Sequence, residues 1–444
     1  IYSQSFQWTD MLGKRDWAIA AAYNQTGERW MERHAVNVGM GIKMPAIQYQ
    51  IKNDPYFLNS LRTGFKDLMT LHGLPHGMFS GDEDIHGNDP VQGTELCATV
   101  EAMYSLEQII SITGETHYMD ALERMTFNAL PAQTTEDFYH RQYFGIANQV
   151  EVKKGIYNFS LPFSRKMNNV YGPFAGYTCC TANMHQGWPK YISHLWYATT
   201  DGGVAALVYG PNKLQTTLPN GVGLTIDEQT QYPFEDQIKF IVQPSKSSEF
   251  PIEFRVPIWC KEAIIHVNGK EIKREKGGQI VRIKRTWNKN DQVDLFFPNE
   301  ITTKNWAKNS RSIEKGALIY ALKIKEEVTK QMHPQEGEYL EIMPKSDWNF
   351  GLLKTTIANP IPNTSFHSVP FPKDFKWNSM SSPFEITTLG KKIPDWKTQD
   401  GVAHQPITTR TGVYEGTVNK ESETIRLIPF GFTRLRVVAF PVVN

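Results

Sequence analysis

The chain has 444 residues, with 47 lysines and arginines against 46 aspartates and glutamates. This length favours two or three domains over one, and the balanced charge makes a nucleic-acid partner a poor hypothesis. No apolar run reaches the roughly eighteen residues that a transmembrane helix requires. Four cysteines are too few for a disulfide scaffold. An aromatic content of 12%, including 11 tryptophans, is compatible with a protein that contacts carbohydrate.

Residues 1–198 are predicted to be helical, because apolar residues such as Val38 and Ile42 recur there at helical spacing. This segment also contains an internal repeat, in which residues 51–57 align with residues 112–118. A helix–loop–helix unit that occurs at least twice is typical of helical solenoids and of closed α/α toroids. We therefore expect stacked helical hairpins in this part of the chain.

From about residue 200, the sequence changes to short alternating runs that are typical of antiparallel strands. The dipeptide Asn268-Gly269 is a strong hairpin signal. We predict a β-sandwich over residues 199–325. Residues 326–444 are predicted to form a second, loop-rich β-sandwich region, because Pro, Asn, Ser and Lys are frequent up to about residue 410. The expected fold class is therefore α + β with several domains.

The most informative stretch contains two adjacent cysteines, Cys179 and Cys180, while a third, Cys97, lies two residues after Glu95. Three thiolates and one carboxylate form a ligand set suited to Zn²⁺, which favours four ligands. Glu95 and Cys97 would point to different sides within a helix but can converge at a helix start, where Thr94 is a suitable N-cap. The sequence thus predicts a zinc site of these four residues.

Other interpretations of these cysteines remain open at this point. Buried free cysteines, a strained vicinal disulfide and a closed structural zinc site are alternatives to a catalytic centre. Cys260 lies in a β run and is predicted to be a core residue. The acidic, glycine-rich loop at residues 77–87 is either a solvated loop or the source of a carboxylate that acts as general acid and base.

The order of these motifs resembles glycoside hydrolase family 127, the β-L-arabinofuranosidase family, and its sister family 146. The resemblance spans roughly residues 15–325. It rests on Ser80-Gly81-Asp82-Glu83, Glu95-Leu96-Cys97, Thr113-Gly114-Glu115, Leu122-Glu123-Arg124, Asn128-Ala129-Leu130, Cys179-Cys180 and the later Phe254-Arg255-Val256-Pro257-Ile258-Trp259.

The resemblance implies a retaining glycosidase with an (α/α)6 barrel followed by β-sandwich domains. By motif position, Cys179 would be the nucleophile and Glu83 the acid/base, while the zinc would keep the thiol ionised and stabilise the departing thiolate. His34 stands where the family places a sugar-contacting histidine. The remaining candidates for substrate binding are Gln142, Tyr143, Asn148 and His185.

At about sixty residues per helical pair, residues 1–198 hold about half of a six-hairpin toroid, so we expect a segment before Ile1 to complete the barrel. The residues within these motifs resemble those of a divergent branch of the family. The resemblance to the family implies exo-acting release of β-L-arabinofuranose or a related pentose from plant glycans, either pectin side chains or hydroxyproline-linked chains.

The expected partner is therefore a plant-type oligosaccharide, with no membrane span, and a homodimer is compatible with the sequence. We expect a periplasmic or secreted location. Two competing functions remain at this stage. A polysaccharide lyase with an α/α toroid would need a Tyr/His/Arg base cluster rather than thiolates, and a non-catalytic glycan-binding protein with a structural zinc would bind sugar without releasing a product.

Overall fold

The computed structural model describes residues 34–85, 87–155, 157, 166–399, 402–406, 408 and 411–444. Two compact units are present. The first, which we call the site unit, comprises residues 34–105, 124–187 and 301–444 among those described. The second, the sandwich unit, comprises residues 106–123 and 188–300. Neither unit is a continuous stretch of sequence. The predicted division into three consecutive domains therefore stays a prediction.

Two helix–turn–helix elements follow one another in the N-terminal part. The helices are α1 (Ala35–Gly41), α2 (Met44–Lys52), α3 (Pro55–His72), α4 (Leu96–Thr113), α5 (Thr116–Arg124), a π-helical turn (Met125–Ala129) and α6 (Leu130–Ala132). The turn before α3 contains Asn53 with a φ of 50°, and the turn before α5 contains Gly114 with a φ of 62°. Left-handed residues at these positions end the preceding helices. The predicted helix–loop–helix repeat is confirmed for these elements.

The prediction of helices joined by short loops over residues 1–198 is wrong for residues 73–95 and for the longer segment at residues 133–178, because none of the described residues there is helical. The longer segment takes its backbone partners from elsewhere in the chain. Its strand β2 (Phe144–Ile146) forms an antiparallel ladder with β1 (Gly93–Glu95). Helix resumes with α7 (Cys179–Met184) and α8 (Gly187–Ser193).

The sandwich unit contains two sheets, with strand orders β11-β8-β4-β3 and β10-β9-β12-β7-β6-β5. The ring of Phe240 in the second sheet lies 4.9 Å from that of Phe254 in the first, so the sheets face each other. The predicted Asn268-Gly269 turn joins β9 to β10. The strands are β3 (Trp196–Ala198), β4 (Val204–Ala206), β5 (Asn212–Thr217), β6 (Gly223–Thr230), β7 (Gln237–Pro244), β8 (Ser248–Arg255), β9 (Glu262–Val267), β10 (Lys270–Lys276), β11 (Ile280–Trp287) and β12 (Asp291–Phe296).

The site unit contains an eight-stranded sheet and a separate hairpin. The sheet has the order β13-β14-β15-β21-β20-β18-β22, with β19 paired to β20, and the hairpin is β16-β17. Its strands are β13 (Ile301–Asn305), β14 (Arg311–Lys315), β15 (Leu318–Leu322), β16 (Glu326–His333), β17 (Gly337–Pro344), β18 (Phe350–Leu353), β19 (Thr364–Ser368), β20 (Phe384–Lys392), β21 (Glu423–Pro429) and β22 (Val442–Val443). Short helical turns are α9 (Lys354–Ala358), Ala307–Asn309, Ile361–Asn363 and Phe430–Phe432.

Strand pairing in this sheet does not follow the predicted boundary at residue 325. Strand β15 precedes that boundary but pairs with β21, about a hundred residues later. The stretch at residues 326–410 is also richer in strands than the loop-like composition indicated. The physical reason is visible in β16, where six of the eight residues are exposed and an alternating apolar pattern is absent.

The eight-stranded sheet supports the segment that carries the site. A small apolar cluster joins them, consisting of Ala132, Ala147, Ile319, Ala321, Phe430 and Val438. The partly buried guanidinium of Arg124 donates two hydrogen bonds to Glu314 on β14, at 2.9 and 2.7 Å. Within the described residues, no helix is both long and apolar enough to span a bilayer.

Candidate active site

A cavity of about 520 Å³ opens within the site unit. This volume lies in the range of small-molecule binding sites. Most of its walls come from residues that immediately precede or begin a helix. It is lined by His34, Val36, Asn37, Glu83, Glu95, Cys97, Tyr143, Tyr177, Thr178, Cys179 and Asn183.

Three thiols and one carboxylate meet at one end of this cavity. One ligand atom from each of Glu95, Cys97, Cys179 and Cys180 lies within 4.8 Å of the others. The sulfur atoms of Cys97 and Cys180 are 3.2 Å apart, and the sulfur of Cys180 is 3.9 Å from Oε1 of Glu95. All four cysteines of the chain are free, and of the three in this cluster only Cys179 is exposed. Its sulfur is therefore the one that a molecule in the cavity can reach.

Local backbone structure explains why these groups converge. Glu95 is the last residue of β1, and its N–H donates to the carbonyl of Gly81 at 3.0 Å. Cys97 is the second residue of α4, so the pair lies at a strand-to-helix junction rather than within a helix. Cys179 and Cys180 are the first two residues of α7. The predicted convergence at helix starts is thus observed, and helix N-termini favour anionic side chains.

The electrostatics of the cluster place the negative charge on Cys179. Hydrogen bonds from the thiols of Cys180 and Cys97 lower the pKa of Cys179 to about 3, and the nearby charge of Arg141 acts in the same direction. The pKa of Cys97 is raised by its hydrogen bond to Cys179. Burial raises the pKa of Cys180. One thiolate flanked by two neutral thiols is therefore the favoured state of the trio alone.

Glu83, whose carboxylate has an oxygen within 4.8 Å of one of Glu95, has a strained backbone. Its φ is +82°, in the left-handed region that non-glycine residues rarely adopt. The hydroxyl of Tyr143 donates to Oε1 of Glu83 at 3.0 Å, and Nε2 of His34 lies 3.3 Å from Oε2. The carbonyl of Glu83 accepts from the N–H of Ala35 at 2.6 Å. Both the backbone and the carboxyl group of Glu83 are therefore held in place.

The structure brings some predicted substrate-binding residues to the cavity and leaves others away from it. His34 and Tyr143 line it. Gln142 is fully buried and donates to the carbonyl of Asn169 at 2.7 Å. Asn148 is also fully buried, where its side chain bonds the backbone of residues 438–439. His185 is exposed at the C-terminal end of α7 and does not line the cavity.

Several lining residues were not identified from the sequence. Asn37 follows His34 by three residues on α1, and Asn183 follows Cys179 by four on α7, so helical spacing from the predicted residues indicates both. The ring of Tyr177 packs 5.3 Å from that of Tyr143. These side chains give the cavity polar and aromatic groups of the kind that orient a sugar.

The donor set fits a zinc ion. Structural and catalytic zinc sites take thiolate, imidazole and carboxylate ligands in groups of about four. Oε2 of Glu95 is buried and has no hydrogen-bond partner among the described residues. Burial raises the pKa of Glu95, and the charges of Glu83 and Cys179 add to this effect. A divalent cation would supply the missing partner and compensate the buried negative charge.

A second trio, His34, Glu83 and Glu95, also brings ligand atoms within 4.8 Å of one another. Here both oxygens of Glu83 already have partners, namely Tyr143 and His34. The thiol-rich set is therefore the better metal site of the two.

Comparison with known proteins is consistent along most of the chain. Residues 7–193 match the catalytic-domain model of GH127 β-L-arabinofuranosidases, and residues 203–299 match the middle-domain model of the same family. A non-reducing end β-L-arabinofuranosidase of Bifidobacterium longum subsp. longum is 23% identical over 311 residues. That alignment covers 65% of this chain and 45% of the relative, so the chain spans about half the length of this enzyme.

Solved structures show the same fold. A GH127 β-L-arabinofuranosidase from Geobacillus stearothermophilus T6 superposes with a TM-score of 0.69 at 17% identity, covering 92% of this chain and 60% of that one. A GH127 β-arabinofuranosidase superposes with a TM-score of 0.66 at 14% identity, covering 96% of this chain and 66% of that one.

Proposed function

Because the chain belongs to glycoside hydrolase family 127, we propose that it acts as a retaining, exo-acting glycosidase with Cys179 as nucleophile. The observation that carries this proposal is the placement of one exposed cysteine sulfur in the same cavity as a positioned carboxyl group. Cys179 Sγ and a carboxylate oxygen of Glu83 each lie within 4.8 Å of a carboxylate oxygen of Glu95. A nucleophile and an acid/base on one sugar site are the two parts that retaining hydrolysis requires.

In the first step, the Cys179 thiolate attacks the anomeric carbon of the bound sugar and the glycosidic C–O bond breaks. Glu83, in its protonated form, gives its proton to the departing oxygen. Because the hydroxyl of Tyr143 donates to Oε1 of Glu83, the transferable proton belongs on Oε2, the oxygen beside His34. The products of this step are the free alcohol and a sugar bonded to sulfur.

In the second step, water attacks the anomeric carbon and the C–S bond breaks. Glu83, now a carboxylate, takes the proton from this water. The sulfur leaves as the Cys179 thiolate, a form that its neighbouring thiols stabilise by hydrogen bonding. Configuration at the anomeric carbon is retained because two displacements occur at the same centre.

We propose that Glu95, Cys97, Cys179 and Cys180 hold a zinc ion, as their donor chemistry supports. When bound, zinc supplies Lewis acidity that lowers the basicity of a thiolate and thus improves it as a leaving group. The chain's own contribution is to keep Cys97 and Cys180 buried and to leave Cys179 exposed at the cavity, where it lines the wall.

The substrate proposed is a β-L-arabinofuranoside, or a related pentose, at the end of a plant glycan chain. Family membership and the names of the similar proteins support this choice. The helix–turn–helix repeat supports an (α/α)6 barrel as the complete catalytic fold, to which the described helices contribute a part. A periplasmic or secreted location is a proposal that follows from a glycan substrate.

The proposal is tested by release of p-nitrophenol from p-nitrophenyl β-L-arabinofuranoside, with zinc and a thiol reductant present. Wild type is compared with Cys179→Ala and Glu83→Gln, and Cys260→Ala serves as the matched control because Cys260 is buried and free but lies in the sandwich unit. We expect turnover in wild type and the control, and loss of turnover in both site variants. Full turnover by Cys179→Ala would refute the thiolate nucleophile. Zinc binding without wild-type turnover would move the substrate to another pentose.

A further inference from the structure

Arg141 is a fully buried cation that contacts the loop preceding Cys179. Its guanidinium donates to the carbonyl oxygens of Ala175 and Tyr177, the second at 2.8 Å. It also donates twice to the hydroxyl of Thr181, at 3.1 and 2.9 Å. These acceptors lie on both sides of Cys179 and Cys180 in the chain, so one side chain links the loop before them to the helix that they begin.

We propose that Arg141 is a positioning residue that fixes the Cys179-Cys180 turn against Glu95 and Cys97 and balances the negative charge of this cluster. The inference rests on the proposed function, because it assigns a role to Arg141 in a metal-binding thiolate site. Arg141 contacts neither the sugar nor the ion in this account. It acts through the residues that do.

The side chain of Arg141 fixes several acceptors of the turn in one arrangement. The planar guanidinium presents its donors in a rigid fork, so it can hold several acceptors at fixed relative positions. Thr181 Oγ1, which accepts from Arg141, itself donates to the carbonyl of Pro173. The backbone of Arg141 joins the same region, because its carbonyl accepts from the N–H of Gly172 at 3.1 Å. The turn that presents Cys179 is therefore bound at both ends to one residue.

The positive charge of Arg141 has no charged hydrogen-bond partner among the described residues. In the described part of the chain, every hydrogen-bond acceptor of the Arg141 side chain is uncharged, being a carbonyl or a hydroxyl oxygen. A buried charge without a counterion is unfavourable. The groups that would act on Arg141 by their negative charge when ionised are Cys180, Cys179, Cys97 and Tyr143, and of these Cys179 is the one whose pKa is lowered. The Cys179 thiolate therefore supplies an opposite charge near Arg141, and Arg141 supplies one near the thiolate, in addition to holding its turn by hydrogen bonds.

The positive charge of Arg141 matters most when a metal is bound to the cluster. One carboxylate and three thiolates carry four negative charges, and a divalent cation leaves two of them uncompensated. A neighbouring guanidinium reduces this excess without entering the coordination sphere. Residues that support metal ligands in this way typically change metal affinity by 10- to 100-fold when removed.

The test uses the full chain with Arg141→Met, Arg141→Lys and Thr181→Val. The first removes both charge and hydrogen bonds, the second keeps the charge, and the third removes the hydroxyl acceptor alone. Arg436→Met is the matched control, because Arg436 is also buried and donates to carbonyl oxygens, those of Ile146 and Thr433. Unfolding midpoints of all variants report how much of any effect is general destabilisation.

The first readout is the zinc dissociation constant, measured by competition with a chromophoric chelator. We expect an increase of roughly 10- to 100-fold in Arg141→Met, smaller increases in Arg141→Lys and Thr181→Val, and a wild-type constant in Arg436→Met. Equal dissociation constants for Arg141→Met and Arg436→Met would overturn the proposal.

The second readout is the rate at which iodoacetamide alkylates Cys179 in metal-free, reduced protein at one fixed pH. We expect a slower reaction in Arg141→Met than in Arg436→Met, because the turn that presents the sulfur to the cavity loses the hydrogen bonds that hold it. Equal rates would overturn the proposal. If wild type binds no zinc, the metal assignment of the proposed function fails, and the alkylation rates alone decide the role of Arg141.

Discussion

Gly81 occupies a position where even one added carbon atom should disturb the active site. A Cβ at this residue would lie 2.2 Å from the Cβ of Ala35, at the start of α1. The backbone of Gly81 donates to the carbonyl of Gly93 at 2.8 Å and accepts from the N–H of Glu95 at 3.0 Å. Glu83 follows two residues later. A displacement of the segment that contains Gly81 therefore moves the acid/base and a metal ligand together.

The size of the displacement follows from ordinary contact distances. Carbon atoms in van der Waals contact lie at least 3.4 Å apart, so Gly81→Ala requires a separation about 1 Å larger than the backbone now allows. Overpacking of this kind costs about 1–3 kcal/mol of folding free energy. A misplacement of about 1 Å at reacting groups can reduce the rate by about 10²-fold. We expect Gly81→Ala to lose kcat/KM by that order while it still folds.

The assay compares kcat/KM on p-nitrophenyl β-L-arabinofuranoside with the urea-induced unfolding curve. Gly155→Ala is the matched control, because a Cβ there meets no atom of the described residues within 4 Å and its φ is not in the left-handed region. This control should keep wild-type activity and stability. Wild-type kcat/KM and an unchanged unfolding curve in Gly81→Ala would refute the reasoning.

Three further predictions concern single side chains. Tyr143→Phe removes the donor to Glu83, and we expect kcat on p-nitrophenyl β-L-arabinofuranoside to fall by roughly 10- to 100-fold, as for a lost bond to a charged group, because the second step needs Glu83 as base. The pKa of Cys179 is lowered to about 3, so its thiolate predominates at every higher pH. Alkylation of Cys179 by iodoacetamide in metal-free protein, followed by mass spectrometry, should therefore vary little between about pH 5 and 8. Arg124→Met removes the two charged hydrogen bonds to the buried carboxyl group of Glu314, which keeps only the hydroxyl of Ser312 and the nearby charge of Lys304 among the described residues, and should lower the free energy of unfolding by about 3 kcal/mol in urea.

Each of these predictions has a control in the chain. Tyr171→Phe also removes a buried hydroxyl, one that donates to a backbone carbonyl, and should leave kcat unchanged. Burial raises the pKa of Cys260 to about 11, so that thiol should stay unreactive where Cys179 reacts. A steep rise of Cys179 alkylation near pH 8 to 9 would contradict the lowered pKa. Lys261→Met breaks an exposed pair and should cost less than about 1 kcal/mol. Equal losses in the two ion-pair variants would contradict the role of burial.

The chemistry of the site could be predicted because its residue types are rare. Four cysteines occur in 444 residues, so three of them in short motifs with Glu95 form an uncommon pattern. Arg141 could not be found in this way, since arginines are frequent and its role depends on acceptors more than thirty residues away. Gln142 and Tyr143 are adjacent, yet only the tyrosine lines the cavity. Nothing in an irregular segment without periodicity indicates which neighbour points inward.

The fold shows the same division between local and distant causes. The Asn268-Gly269 hairpin and the helix–loop–helix repeat depend on neighbouring residues, and both were predicted. The pairing of β15 with β21 joins segments about a hundred residues apart, which no local pattern reveals. Strand β16 was missed because its residues are mostly exposed and polar, so the burial pattern that identifies a strand is absent.

The most direct test of the central claim is intact-protein and peptide mass spectrometry of Glu83→Gln after brief incubation with p-nitrophenyl β-L-arabinofuranoside. p-Nitrophenol departs without an acid, whereas attack of water on the glycosyl-enzyme needs the Glu83 carboxylate as base. We predict that one pentosyl group accumulates on the protein and that the modified peptide contains Cys179. A sugar attached at any other residue, or turnover by Cys179→Ala at the wild-type rate, would contradict the account.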